Sequence, residues 1–288
     1  MSDWFREDLY PSVSQSFARD KVLYEGDTDF QHVEIFENAA LGRVMVLDGI
    51  VQTTEKDEFV YHEMMTHVPL YAHNEARHVL IVGGGDGGVL REVLRHPVES
   101  VTMVDIDGQV IALSKEYLPR LSAGAFDDPR ATVIVGDGVQ FVSETDDQFD
   151  VVIVDSTDPV GPGEGLFARA FYQRCAAILA EGGIVVTQNG VPYFQAEELI
   201  RTSQRFDGVF RHCGFYVIAV PTYYGGFMAL GWASNSVDLA QPLSPKTTLR
   251  IEQAQVKTRY YNAGIHHAAF ALPQFVQELA ESQRSSNS

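Results

Sequence analysis

Two cysteines, Cys175 and Cys213, are all the thiols this chain of 288 residues possesses. That is too few for a disulfide framework or a thiolate metal site, so both read as buried thiols and no metal is expected. No uninterrupted apolar run reaches the roughly 18 residues that a membrane helix needs. The opening MSDWFREDLY mixes charges with aromatics and carries no apolar signal core. A cytoplasmic protein with no membrane contact is the expectation. Positive charge is also scarce, with 21 Lys and Arg against 39 Asp and Glu and a formal net charge of −18. No basic stripe relieves it, so nucleic acid phosphates and anionic lipid are repelled and cations favoured. Acidity for solubility alone is the plainer account of the charge taken by itself.

What is present falls into two patterns. KVLYE, QHVEIFE, GRVMVLD and IVQTT read as short strands, the last two joined by Asp48-Gly49, a dipeptide suited to a type I′ turn. They predict a small antiparallel sheet, and DEFVYHEMMTHVPLYA after it reads as a helix. From HVLIVG onward, apolar runs alternate with helical segments: VLREVLRH, ESVTMVDID, QVIALSKEYL, ATVIVGD, VQFVSET, FDVVIVD, ARAFYQRCAAILA and GGIVVTQNG. This rhythm predicts an α/β domain whose mostly parallel sheet is buried on both faces. GFYVIAVPTYY and GFMALGWAS read as an antiparallel pair at its edge. The expected division is an N-terminal β-domain over residues 1–66 and a catalytic domain over 67–288.

In such sheets ligands bind outside the carboxyl ends of the strands, and acids cluster there in this sequence. The first run ends in Gly83-Gly84-Gly85-Asp86-Gly87-Gly88, a turn that lets a nucleotide-like ligand approach the backbone. Asp86 would repel a pyrophosphate, and no lysine or arginine in the loop offsets it. A cationic ligand tail reverses the sign, while a helix cap is the alternative use of the residue. Asp105 ends the second run, where it can hold both ribose hydroxyls or simply face solvent. Asp137-Gly138 follows the third, placed for an adenine amino group or for a cap. The fourth ends in Asp155-Ser156-Thr157-Asp158-Pro159. There Asp158 also fits an Asx-turn, and the Pro/Gly-rich segment 160–165 resembles a lid.

With WFRE, VLDGIVQTTEKDEFVYHEMM, VLIVGGGDGGVLREV, DSTDPVGPGEGLF, PTYYGG and RYYNAGIHHAAFALP in place nearly end to end, the chain resembles the spermidine synthases of the aminopropyltransferase (polyamine synthase) family. Asp105 stands where that family usually has Glu, and GPGEG where it usually has GPAES. The resemblance implies a Rossmann-like, methyltransferase-type doubly wound fold. It also implies aminopropyl transfer from decarboxylated S-adenosylmethionine, a co-substrate, to putrescine, giving spermidine and 5′-methylthioadenosine with no prosthetic group. Asp155 is implied as proton acceptor, with polyamine contacts from Asp86, His62, Tyr61, Asp158 and Tyr223. Nucleoside contacts are implied from Gln31, Asp105, Asp137, Gly138, Pro162 and Gln52, and a homodimer or higher homo-oligomer is expected. His62 as a satisfied histidine, Tyr61 as packing and Gln31 as a solvated edge residue are the bland alternatives. The competing functions are a putrescine methyltransferase, an NAD-dependent oxidoreductase and a polyamine-binding module without turnover.

Overall fold

In the computed structural model, which describes residues 3–73, 75–156, 165–166, 168–254 and 256–281, the N-terminal segment is built of strands. β1 (Asp3–Tyr10) and β2 (Val13–Arg19) form an antiparallel hairpin. β3 (Lys21–Asp27), β4 (His32–Asn38), β5 (Gly42–Leu47) and β6 (Ile50–Thr54) form a four-stranded antiparallel meander. Asp48 and Gly49, at φ 49° and 78°, turn β5 into β6 with both residues left-handed, as a type I′ turn requires. The hairpin β1–β2 is an addition to the sequence reading. Its inward positions on β1 include Glu7, which is buried and accepts the Val51 amide at 2.8 Å, so a charged residue breaks the expected apolar alternation.

α1 (Glu58–His73) follows, and the boundary expected at residue 66 falls inside it. Its Met64, Met65 and Val68 pack with the large sheet that comes next. That part runs β7 (His78–Gly83), α2 (Gly88–Leu94), β8 (Ser100–Asp105), α3 (Gly108–Tyr117), α4 (Pro119–Ser122), β9 (Ala131–Val135), α5 (Gly138–Glu144) and β10 (Phe149–Asp155). It continues with α6 (Arg169–Ile178), β11 (Leu179–Gln188), α7 (Ala196–Phe206), β12 (His212–Ile218) and β13 (Met228–Ser234). α8 (Pro245–Gln253), α9 (Ala263–Ala269) and α10 (Gln274–Glu281) close the described chain.

The seven strands lie in the order β12-β13-β11-β10-β7-β8-β9. β7 to β11 are mutually parallel, while β13 runs antiparallel to both β11 and β12, the expected edge pair. Alternate residues of the apolar runs face opposite helical layers. Val79 and Ile81 pack with α1 and α2, whereas Leu80 and Val82 pack with α5 and α6. Each such side chain contributes about 1.5–3 kcal/mol on full burial, which is why the runs are apolar at every position. The meander packs Val33, Ile35, Met45 and Leu47 against Val110, Leu118 and Leu121 of the α3–α4 region.

One strand begins earlier than its sequence implied. The helix expected through Ala180 stops at Ile178, and Leu179 already pairs with Phe149. Gly182, at φ 82°, then carries the strand through a bulge before Ile184 meets Val151. Of the two thiols, Cys175 is fully buried but Cys213 is only half-buried, so the second departs from expectation. No helix among the described residues is long and apolar enough to cross a membrane.

Candidate active site

From β7 the chain winds outward through β8 and β9, then returns to the other side of β7 with β10. Strand order therefore reverses between β7 and β10, and the crevice at their carboxyl ends is where this architecture binds ligands. Gly83 and Asp155 are register partners there, and the Gly84 amide donates to the Asp155 carbonyl at 3.0 Å. A Cβ on Gly83 would sit 2.0 Å from that carbonyl oxygen, so no larger residue fits. The glycine turn thus brings the ends of the two strands, and their acids, into one crevice.

α1 enters the crevice from above the turn. The Tyr61 hydroxyl donates to Asp155 Oδ1 at 2.7 Å, and the Tyr61 ring meets Tyr223 edge-on at 6.5 Å between centroids. Tyr223 in turn donates its hydroxyl to the Gln52 carbonyl of β6, while the Gln52 side-chain amide donates to the Ile50 carbonyl at 3.2 Å. His62, buried next to Tyr61, lies with Nδ1 2.7 Å from Glu58 Oε2 and Nε2 3.1 Å from Asp86 Oδ2. Asp86 Oδ1 accepts the Gly88 amide at 2.7 Å, so it does bond the first turn of α2, although Gly87 occupies the N-cap position. A Cβ on Gly88 would fall 2.2 Å from the His62 ring, which fixes glycine at the last position of the turn.

At the end of β8, Asp105 is half-buried, and its Oδ1 accepts the Asp107 amide at 2.8 Å. Gln31, just before β4, donates its side-chain amide to Asp107 Oδ2 at 3.0 Å, bringing the meander to the rim of the large sheet. Asp137 is exposed and caps α5, with Oδ1 accepting from Val139 at 2.7 Å and from Gln140 at 3.3 Å. The Gly136 amide donates to the Asp105 carbonyl at 2.9 Å, which draws the β9 end to that of β8. Gly138 lets α5 approach β7 closely, since a Cβ there would lie 2.4 Å from Val82 Cγ1. Asp158, Pro162 and most of the segment read as a lid lie outside the described residues.

Crowding of acids sets the ionisation of the crevice. Burial, then the charge of Asp86, pushes Asp155 up to about 7, against the opposing pull of His62 and of the Tyr61 hydrogen bond. Burial raises Asp105 to about 6, the Asp107 amide opposing it. Burial would lower His62, but the Asp86 charge and hydrogen bond and then Glu58 reverse the sign and lift it to about 10. Asp86 is held below the usual carboxylate range because His62 outweighs its burial. Burial and then the charge of Asp155 push Tyr61 well above the usual phenol range, so it remains a donor.

Sequence reasoning set Asp86 against a ligand's positive charge and missed that the protein supplies one of its own. Glu58 and Arg91 were missed with it: Arg91 pairs with Glu58 Oε2 at 2.8 Å. The i, i+4 spacing of Glu58 and His62 on a helix was the available signal. Chemically, the crevice combines a carboxylate poised near neutrality, a tyrosine that orients it, and further acids suited to cationic ligands. A separate cavity of about 440 Å³ lies against the edge strand β12, lined in part by Phe215, Trp232 and Phe270, and contains none of these groups.

Comparison with known proteins matches the same two regions. Residues 58–241 match the spermine/spermidine synthase domain, and residues 3–55 the spermidine synthase tetramerisation domain. Polyamine aminopropyltransferase 1 of Pseudomonas aeruginosa is 54% identical over 284 residues, spanning 98% of this chain and 99% of that protein. A polyamine aminopropyltransferase of Sodalis glossinidius is 53% identical over 281 residues, spanning 97% and 98%. A crystal structure of spermidine synthase in complex with the transition state analogue AdoDATO superposes with a TM-score of 0.93 at 39% identity, covering 98% of this chain and 96% of that one. Spermidine synthase from Thermotoga maritima gives 0.89 at 38%, covering 96% and 94%.

Proposed function

The chain belongs to the spermine/spermidine synthase family and is a polyamine aminopropyltransferase; on that premise we propose that it moves the aminopropyl group of decarboxylated S-adenosylmethionine onto putrescine, giving spermidine and 5′-methylthioadenosine. The observation that carries this reading is the Tyr61–Asp155 hydrogen bond at the mouth of the strand-order reversal, with Asp155 poised at about 7. A putrescine nitrogen attacks the methylene beside the sulfonium, which is already a good leaving group. The obstacle is the nucleophile, because an alkylammonium with a pKa near 10 is only about one-thousandth neutral at pH 7, a cost of roughly 4 kcal/mol. Asp155 takes that proton before attack and so frees the nitrogen lone pair, which forms the new C–N bond as the C–S bond breaks, while Tyr61 keeps its carboxylate aligned. Alignment of the two reactants supplies the rest of the acceleration.

Asp86 receives the amine of the donor's aminopropyl chain, and its charge disfavours the carboxylate of intact S-adenosylmethionine. Asp105, Asp137, Gly138, Gln31 and Gln52 serve the nucleoside, and Tyr223 lines the amine side with Tyr61. Asp137 caps α5 through Oδ1 alone, which leaves Oδ2 for an adenine amino group. The roles of Asp158 and Pro162 rest on the family pattern. The β-domain at 3–55 assembles copies of the chain into a homodimer or tetramer, which light scattering of the purified protein measures directly.

Incubation with decarboxylated S-adenosylmethionine and a panel of putrescine, cadaverine, diaminopropane and spermidine, followed by mass spectrometry, tests the reaction. Spermidine and methylthioadenosine in equal amounts are expected. Methylated amine formed from intact S-adenosylmethionine would establish the methyltransferase instead, and amine binding with no product would leave a binding module.

A further inference from the structure

Two carboxylates in one partly dry crevice tend to share a proton, because the second charge is opposed by the first. The functional reading needs Asp86 and Asp155 ionised together, and the ring of His62 shows how that is achieved. Both ring nitrogens face carboxylate oxygens, Nδ1 at 2.7 Å from Glu58 and Nε2 at 3.1 Å from Asp86. A neutral imidazole offers one donor and one acceptor, so two acceptors are satisfied together only by the doubly protonated ring. The side chains of His62 and Glu58 are 3% and 9% exposed, so water does not substitute for either partner. Glu58 is anchored from α2 by Arg91 at 2.8 Å, and the missing side chain of Gly88 opens the seat for the ring.

We propose that His62 is a positioning residue, a fixed internal cation held by Glu58 and Arg91, which lets Asp86 and Asp155 carry their charges simultaneously. The groups around it are Glu58 and Tyr61 on its own helix, Asp86 on the glycine turn and, through charge, Asp155 on β10, while Arg91 of α2 is bonded to Glu58 and to Glu92. Arg91 is thus shared between two glutamates, and His62 is the cation paired directly with Asp86. Depression of Asp86 by His62, and the opposition of His62 to the rise of Asp155, agree in direction. Each ring nitrogen faces a carboxylate oxygen, so His62 acts on Asp86 directly and on Asp155 through its charge. The inference rests on the reading of Asp155 as proton acceptor.

The test pairs kinetics with spectroscopy on the full-length protein. His62→Gln keeps hydrogen-bonding capacity and removes the charge. The acid limb of kcat/KM is expected to move up by about one unit or more, with a loss near tenfold at pH 7 that shrinks toward pH 9. Equal loss at every pH would overturn the proposal, because that is the mark of a merely structural side chain. Nitrogen-15 NMR of the histidine ring in wild-type protein is expected to show both His62 nitrogens protonated at pH 8. Glu58→Gln is expected to bring the titration of this ring down into the range below pH 9. A neutral ring at pH 8, or a titration that Glu58→Gln leaves in place, overturns the proposal even where His62→Gln fails to fold. Failure of the functional reading itself appears separately, as wild-type enzyme that forms no aminopropylated product.

Discussion

Tyr61→Phe removes one oxygen and leaves the ring contact with Tyr223, so it isolates the hydrogen bond at 2.7 Å to Asp155. A hydrogen bond to a charged group contributes about 1.5–3 kcal/mol. It favours the ionised carboxylate, so its loss raises the Asp155 pKa by roughly one to two units at about 1.4 kcal/mol per unit. Starting from about 7, the group moves to about 8–9. At pH 7 its ionised fraction then falls from about one-half to about 1–10%, a loss of roughly 5–50-fold, whereas at pH 9 the loss is about twofold or less. Tyr61 is itself held well above the ordinary phenol range, so the wild-type donor persists throughout. The assay is kcat/KM against pH for wild type and variant, which reports the free enzyme. Titration of the substrate amine affects both proteins equally and cancels in the ratio. A deficit of equal size at pH 7 and pH 9 would refute the claim that Tyr61 acts on the ionisation of Asp155.

Asp155→Asn is expected to lower turnover at least about a hundredfold at saturating substrates, measured by methylthioadenosine release. The same variant should melt higher than wild type at pH 8. The folded pKa of about 7 exceeds the ordinary 3.8, so the associated stability is complete below about 3.8 and is lost as pH rises through 7. The ionised carboxylate then weakens the fold at pH 8 by up to about 4 kcal/mol, and an Asn variant that melts lower there would contradict this. Asp86→Asn is expected to narrow the preference for decarboxylated over intact S-adenosylmethionine, and equal discrimination in competition binding would remove Asp86 from that role. Gly88→Ala drives a methyl group to within 2.2 Å of the His62 ring. It should cost about 1–3 kcal/mol in denaturant unfolding and at least tenfold in activity.

Local pattern carried most of the architecture. The period-free apolar runs HVLIVG, VTMVD and VVIVD became β7, β8 and β10, because strands covered on both faces have no polar position to betray. Asp48-Gly49 announced its turn because only such residues accept the two positive φ angles. β1 was not legible, because Glu7 stands at a buried position whose compensating amide, Val51, is 44 residues away. The helices after Gln188 were not assigned from the sequence, although Ala196–Phe206 has Leu199 and Phe206 on a buried face. Polar and charged residues fill most of that segment, and its apolar stripe is narrow.

At the site, the sequence by itself determined which residues stand at the strand ends: a glycine turn with one acid in it, then Asp105, Asp137 and Asp155 after successive runs. Residue type and distance from the strand terminus suffice for that, since both are local properties. Charge state is not local. The rise of Asp155 and the reversal of His62 come from groups brought together across β7, β8, β10 and α1, with Tyr61 and Asp155 lying 94 residues apart in the chain. Coulomb energy depends on separation in space and on how much water is excluded, and folding sets both.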